Sequence, residues 1–207
     1  MLTSEKLHLL LTREDGRSLS PSHHDVALAA AVLADLRDAG IVSLEDAPVS
    51  RARVLVTGAG TTDHPVLDAL LTEVDGLRGK KVAAVVGKGR PKARKPVVAH
   101  LVETGELVEH KALLNTRHTP VGPGRPALVA GLTSALDGDS PSDEDRLLLG
   151  VLHQLNVLRR VLPEAGAEGE SRREQSRRLE RLTHDDLLVQ AVGRTVSTAA
   201  AAAAAAG

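Results

Sequence analysis

Phenylalanine, tryptophan, tyrosine and cysteine are all absent from the 207 residues. Without cysteine there can be no disulfide, thiolate metal site or cysteine nucleophile, a composition that suits a reducing compartment. Without aromatic side chains, each of which buries about 150–250 Å², leucine, valine and alanine must fill the interior. That favours close-packed helices. It also removes the stacking platforms on which single-stranded nucleic acid is held and the Trp/Tyr belts of membrane interfaces. Long apolar runs are missing as well: no stretch is expected to span a bilayer, and Met1 to Lys6 lacks a signal-peptide pattern. Net charge is close to zero, at -1, so any electrostatic role must come from local segregation of charge.

Such segregation exists. Between Arg78 and Lys95 lie Arg78, Lys80, Lys81, Lys88, Arg90, Lys92, Arg94 and Lys95, with no acid among them. The stretch runs into an apolar helix through Val97, Val98, Leu101 and Val102, stopped at Gly105. A β-hairpin is expected over Leu107–Leu114. A cationic run beside a helix and a hairpin marks an anion site.

The rest of the chain reads mainly as helix. Ser4–Leu11 forms a short helix, and Ser22, with Asp25 three residues on, is expected to cap a central one carrying Val26, Ala29, Ala30, Leu33 and Leu36. Two short strands follow, Ile41–Leu44 and Arg53–Val56, and then a helix capped by Asp63 with Pro65 in its first turn. Helix, glycine, strand, turn and strand thus occur at Leu33–Val56 and recur at Val98–Asn115. Later, Leu128–Leu136 is helical. Ser142 caps an apolar helix reaching Leu162, the expected partner of the central helix. Arg172–Leu182 reads as a solvated helix and Thr183 as the cap of the last one. The alanine tail, 199–207, is expected to fray. The fold class expected is mainly α: a single helical domain, 1–198, around a central helix bundle, with two small β-hairpins.

Read in order, several segments resemble the Golgi phosphoprotein 3 family, in its bacterial type. The carriers are Leu7-His8-Leu9-Leu10-Leu11 with Asp15-Gly16, Leu33-Ala34-Asp35-Leu36 leading to Gly40-Ile41-Val42-Ser43-Leu44, and Thr62–Leu70. His100–Leu107 and Arg146-Leu147-Leu148-Leu149 complete the set. The resemblance implies a helical domain that, in eukaryotic members, binds phosphatidylinositol 4-phosphate at a basic pocket beside a membrane-dipping hairpin and acts as an adaptor. The pattern departs from those members where their pocket tryptophan and arginine are replaced by Ser20 and Ala29. Of their paired arginines only Arg94 is kept; Pro91 holds the other place.

The function expected is therefore peripheral binding of anionic lipid headgroups, phosphatidylinositol 4-phosphate by resemblance, at Arg94, Arg90, Lys92 and Lys88. Leu107, Val108, Leu113 and Leu114 on the hairpin would meet the membrane or a second copy. The expected location is cytoplasmic, at the inner face of a membrane. A winged-helix-like nucleic-acid binder and a soluble adaptor for an acidic protein partner stand as alternatives. The former is disfavoured, because the helix before the hairpin is too apolar to read bases. No nucleophile–base pair is evident and the adjacent His23 and His24 point to different faces of a helix, so neither catalysis, nor a metal, nor another cofactor is expected. His23 and His24 are read as surface histidines.

Overall fold

Helix α1 (Thr3–Leu11) has almost no exposed face. Leu7, Leu9, Leu10 and Leu11 are all fully buried, so the other helices are packed around it and its neighbour. The computed structural model describes residues 1–58, 62–111, 116–138, 141–165 and 171–205, the side chain of Arg172 excepted. Helix α2 (His24–Asp38) lies against α1 and is nearly as enclosed. Its alanines 27, 29, 30, 31 and 34 are buried and keep its surface low enough for helices to approach from two sides. A core without aromatics is thus assembled from short side chains in close layers.

After α2 come strands β1 (Val42–Leu44) and β2 (Val54–Val56), paired antiparallel with Val42 opposite Val56. Helix α3 (Pro65–Val74) and a 3-10 turn at Asp75–Leu77 lead to α4 (Val82–Gly87) and α5 (Arg94–Glu103). Strands β3 (Leu107–Lys111) and β4 (Thr116–Pro120) form the second ribbon, followed by α6 (Gly124–Asp137), α7 (Asp143–Gln154), α8 (Leu158–Val161), α9 (Arg172–Thr183) and α10 (Leu187–Ala205). The mainly helical class and the two antiparallel pairs are as expected. The helix–glycine–ribbon unit does occur twice.

Several expectations change. The second ribbon is longer than Leu107–Leu114: its return strand is Thr116–Pro120, with Leu107 opposite Pro120. The helix opened by Ser142 has its capping box, Ser142 Oγ accepting from the Asp145 N–H at 3.1 Å, but it does not reach Leu162. It stops at Leu155. Asn156 then adopts φ 56°, its N–H bonding back to the His153 carbonyl and that of Val157 to Leu152. Asparagine tolerates this left-handed conformation, and the paired bonds close the helix as a Schellman cap. The chief neighbours of α7 are α9 and α10, while α2 packs mainly on α1 and α10, so α7, the partner foreseen for the central helix, touches it only as a minor neighbour. At Gly150 a Cβ would sit 2.7 Å from a Val189 methyl, which is how closely α10 crosses α7.

Three caps also shift. Helix α2 starts at His24 with no side-chain cap from Ser22. Helix α3 is capped by His64, whose Nδ1 accepts the Val66 N–H, in place of Asp63. Helix α10 is capped by Asp186, which accepts from the Leu188 and Val189 N–H groups, while Thr183 bonds back within α9 to the Leu179 carbonyl. Nor is α9 only solvated, since Leu179, Gln175 and Thr183 are buried.

Among the described residues α10 alone is long and apolar enough to cross a membrane, at 19 residues and mean hydropathy 1.2. The expectation that no stretch reaches that length gives way here, because valines and a run of alanines add up along one helix. Leu188, Val189, Ala191 and Val192 in its first turns are nevertheless buried against α2, α4 and α7. The alanine run continues the same helix to Ala205 and is exposed.

Candidate functional site

The cationic stretch is set out by one loop, 88–93, between α4 and α5. Gly89 takes φ 58° and lies against α2: a Cβ there would meet the Asp25 Cβ at 2.9 Å and its backbone carbon at 3.1 Å. The Lys92 N–H donates to Glu73 at 3.2 Å, and the Lys92 ammonium reaches the Lys88 carbonyl at 3.4 Å and Asp25 at 3.8 Å. Pinned in this way, the loop sends its side chains to two places. Gly89→Ala is expected to cost about 2 kcal/mol, from the left-handed backbone and the clash with α2 together, read as a lower urea midpoint with unchanged m-value.

Lys88 and Arg90, with Lys80 and Lys81, line a recess of about 430 Å³ floored by Leu77 and Val85. Lys92, Arg94 and Lys95 border a smaller one of about 200 Å³ against Asp25 and Leu28. Arg94 and Lys95 also stand at the end of a groove of about 750 Å³ between α5 and the β3–β4 ribbon, walled by Val98 and Val102 and faced by Glu109 and His118. The four cations expected to share one phosphate are thus divided two and two.

Charge compensation separates them further. Lys92 has Asp25, and Glu109 is engaged by Lys111 at 3.3 Å and His118 at 3.8 Å. Among the described residues no carboxylate lies within ion-pair range of Lys88, Arg90, Arg94 or Lys95. Helix α5 begins at Arg94 with no side-chain cap, and Pro96 has no N–H, so the Arg94 and Lys95 amides head the helix together with their own cationic side chains. A helix N-terminus in this state is suited to an anion.

Of the hairpin residues, Leu107 is buried at 1% exposure and belongs to the core; Val108, at 41%, is exposed. Leu113 and Leu114 lie outside the described residues. Ala29 is fully buried and Ser20 nearly so, so neither takes part in a headgroup pocket. Pro91 is buried in the loop.

Behind Arg94 sits a histidine pair of which the sequence reading misplaced one member. His24 is buried, not on the surface, with its Nε2 3.0 Å from Nδ1 of buried His8 and its Nδ1 2.7 Å from Ser18 Oγ. Burial, reinforced by the Arg94 guanidinium, lowers the pKa of His24 from 6.5 to about 4. Burial and the His24 ring hold His8 well below its ordinary value too. A second cluster joins three elements: Glu5 of α1, His64 ahead of α3 and His100 of α5. No spacing rule would have linked residues so far apart in sequence.

A family model described as Golgi phosphoprotein 3 (GPP34) matches residues 4–199. No curated protein matches the chain.

Proposed function

Because the chain belongs to the Golgi phosphoprotein 3 family, we propose that it binds anionic membranes peripherally, from the cytoplasmic side, and takes a lipid phosphate at the head of α5. The uncapped start of this helix, with Arg94 and Lys95 free of carboxylates and opening on the groove beside the ribbon, carries the reading. Lys92 borders the same corner, and Lys88, Arg90, Lys80 and Lys81 add attraction from the neighbouring recess. Each cation near an anionic surface contributes about 1 kcal/mol, enough in sum to hold the protein without a deep pocket. Val108 offers a little apolar contact. Phosphatidylinositol 4-phosphate is the headgroup that family membership favours. The role is one of binding and adaptation without catalysis.

Co-sedimentation tests this with neutral, phosphatidylinositol and phosphatidylinositol 4-phosphate liposomes, at low and moderate salt, beside duplex DNA. Arg94→Glu with Lys95→Glu is expected to weaken pelleting more than about tenfold while leaving the thermal midpoint in place. Undiminished pelleting of that variant sinks the assignment. DNA binding with a steep salt slope and no lipid binding would turn the reading towards nucleic acid, and binding to neither towards an acidic protein partner.

A further inference from the structure

Glu5, His64 and His100 converge in a way that hydrogen bonds explain only in part: Glu5 and His100 are hydrogen-bonded, while His64 faces the same carboxylate without a bond. Glu5 is 1% exposed, and its Oε1 lies 2.5 Å from His100 Nδ1. Its other oxygen accepts the Leu2 N–H at 2.8 Å and is 3.7 Å from His64 Nε2. That last separation is too long for a hydrogen bond. It is close to the distance between two ligand atoms around a tetrahedral ion, roughly 3.3 Å for bonds of about 2.0–2.1 Å. All three ligand atoms lie within 4.8 Å of one another, and the imidazole rings meet edge-on with centroids 4.7 Å apart.

We infer that Glu5, His64 and His100 form a binding site for a divalent first-row metal ion, with zinc the best match to two imidazoles and one carboxylate. Three protein ligands leave a fourth position for water, and the part-exposed histidine rings, at 23% and 21%, give the ion a way in. The Leu2 amide, donating to Oε2, helps to orient the carboxylate, the kind of outer-shell support that fixes a ligand. To ligate, His100 moves the proton of its Nδ1 to Nε2. His64 likewise carries its proton on Nδ1, and so gives up the 3.3 Å bond from the Val66 N–H that caps α3. Binding therefore trades the Glu5–His100 hydrogen bond and a weak cap for bonds to the metal, and ties α1, the start of α3 and α5 to one ion.

The purified full chain, stripped with chelator, is titrated with Co²⁺ and read by its visible d–d absorption, then back-titrated with Zn²⁺; thermal melts with and without Zn²⁺ accompany it. A tetrahedral-type spectrum displaced by one equivalent of Zn²⁺, with a raised melting midpoint, is expected. His64→Ala should weaken Co²⁺ binding more than about 100-fold, beyond the roughly 10–100-fold of an outer-shell loss. His184→Ala, at an exposed histidine outside the cluster, should leave it unchanged. No spectrum in the wild-type chain, or one that persists in both His64→Ala and His100→Ala, overturns the site. A cooperative metal-free melt is the condition for reading each variant, which separates lost binding from lost structure.

Discussion

Acidification from about pH 7 to about pH 4 is expected to destabilise the protein through the buried His8–His24 pair, while stability between about pH 7 and pH 8 stays nearly flat. The direction follows from which state takes up the proton. In the unfolded chain both rings protonate near 6.5; in the fold His24 does so only at about 4, and His8 is lowered in the same sense. Between those values the unfolded state binds more protons, so stability falls with falling pH, and the His24 share levels off below about 4. For His24 alone the loss is of the order of 3 kcal/mol, at about 1.36 kcal/mol per pH unit separating the two states.

The groups facing the pair act unequally. Arg94 presses both rings towards neutrality, His118 adds to this at His8, and Asp25 opposes it at His24. Asp35, raised by its own burial, regains stability on protonation, but only as the pH approaches the carboxylate range. His64 and His153 are also lowered by burial and work in the same direction as the pair. Urea denaturation across this range measures the slope, and His24→Gln should make it shallower. A slope the substitution leaves untouched would mean that the acid sensitivity resides elsewhere.

Those histidines show where a linear reading of the chain succeeds and where it stops. Helix α1 was legible because Leu7 and Leu9–Leu11 follow one another with no polar break wide enough for a solvent face. The cap at Ser142 was legible because its signal lies within four residues. The fate of His24 was not, since its burial depends on His8 and Ser18, which α1 and the following turn bring to it. The cationic stretch was visible as composition, yet its division into two recesses depends on where Gly89 meets α2 and where Glu73 holds the Lys92 amide. Similarly, apolar periodicity runs without a break from Leu147 to Leu162. Only the left-handed turn at Asn156 separates α7 from α8.

Asp35→Ala is expected to cost about 2–4 kcal/mol, because Asp35 is the cap of a helix to which it does not belong. Its Oδ1 accepts the Thr3 N–H at 2.8 Å and its Oδ2 the Ser4 N–H at 3.0 Å, so a carboxylate on α2 closes the start of α1. Both amides are buried, and a buried donor left without a partner costs about 1–3 kcal/mol. The positive end of α1 loses its counter-charge as well. Set against this, alanine removes the desolvation that raises the carboxyl's pKa, which keeps the net below the sum of the two amides. In a chain of this length the loss corresponds to a melting midpoint lower by about 4–16 °C. Asp35→Asn keeps one acceptor and should fall between alanine and wild type. If asparagine and alanine melt alike, the stabilisation comes from the charge; if alanine melts with the wild type, α1 is held by its leucines alone and the cap contributes nothing.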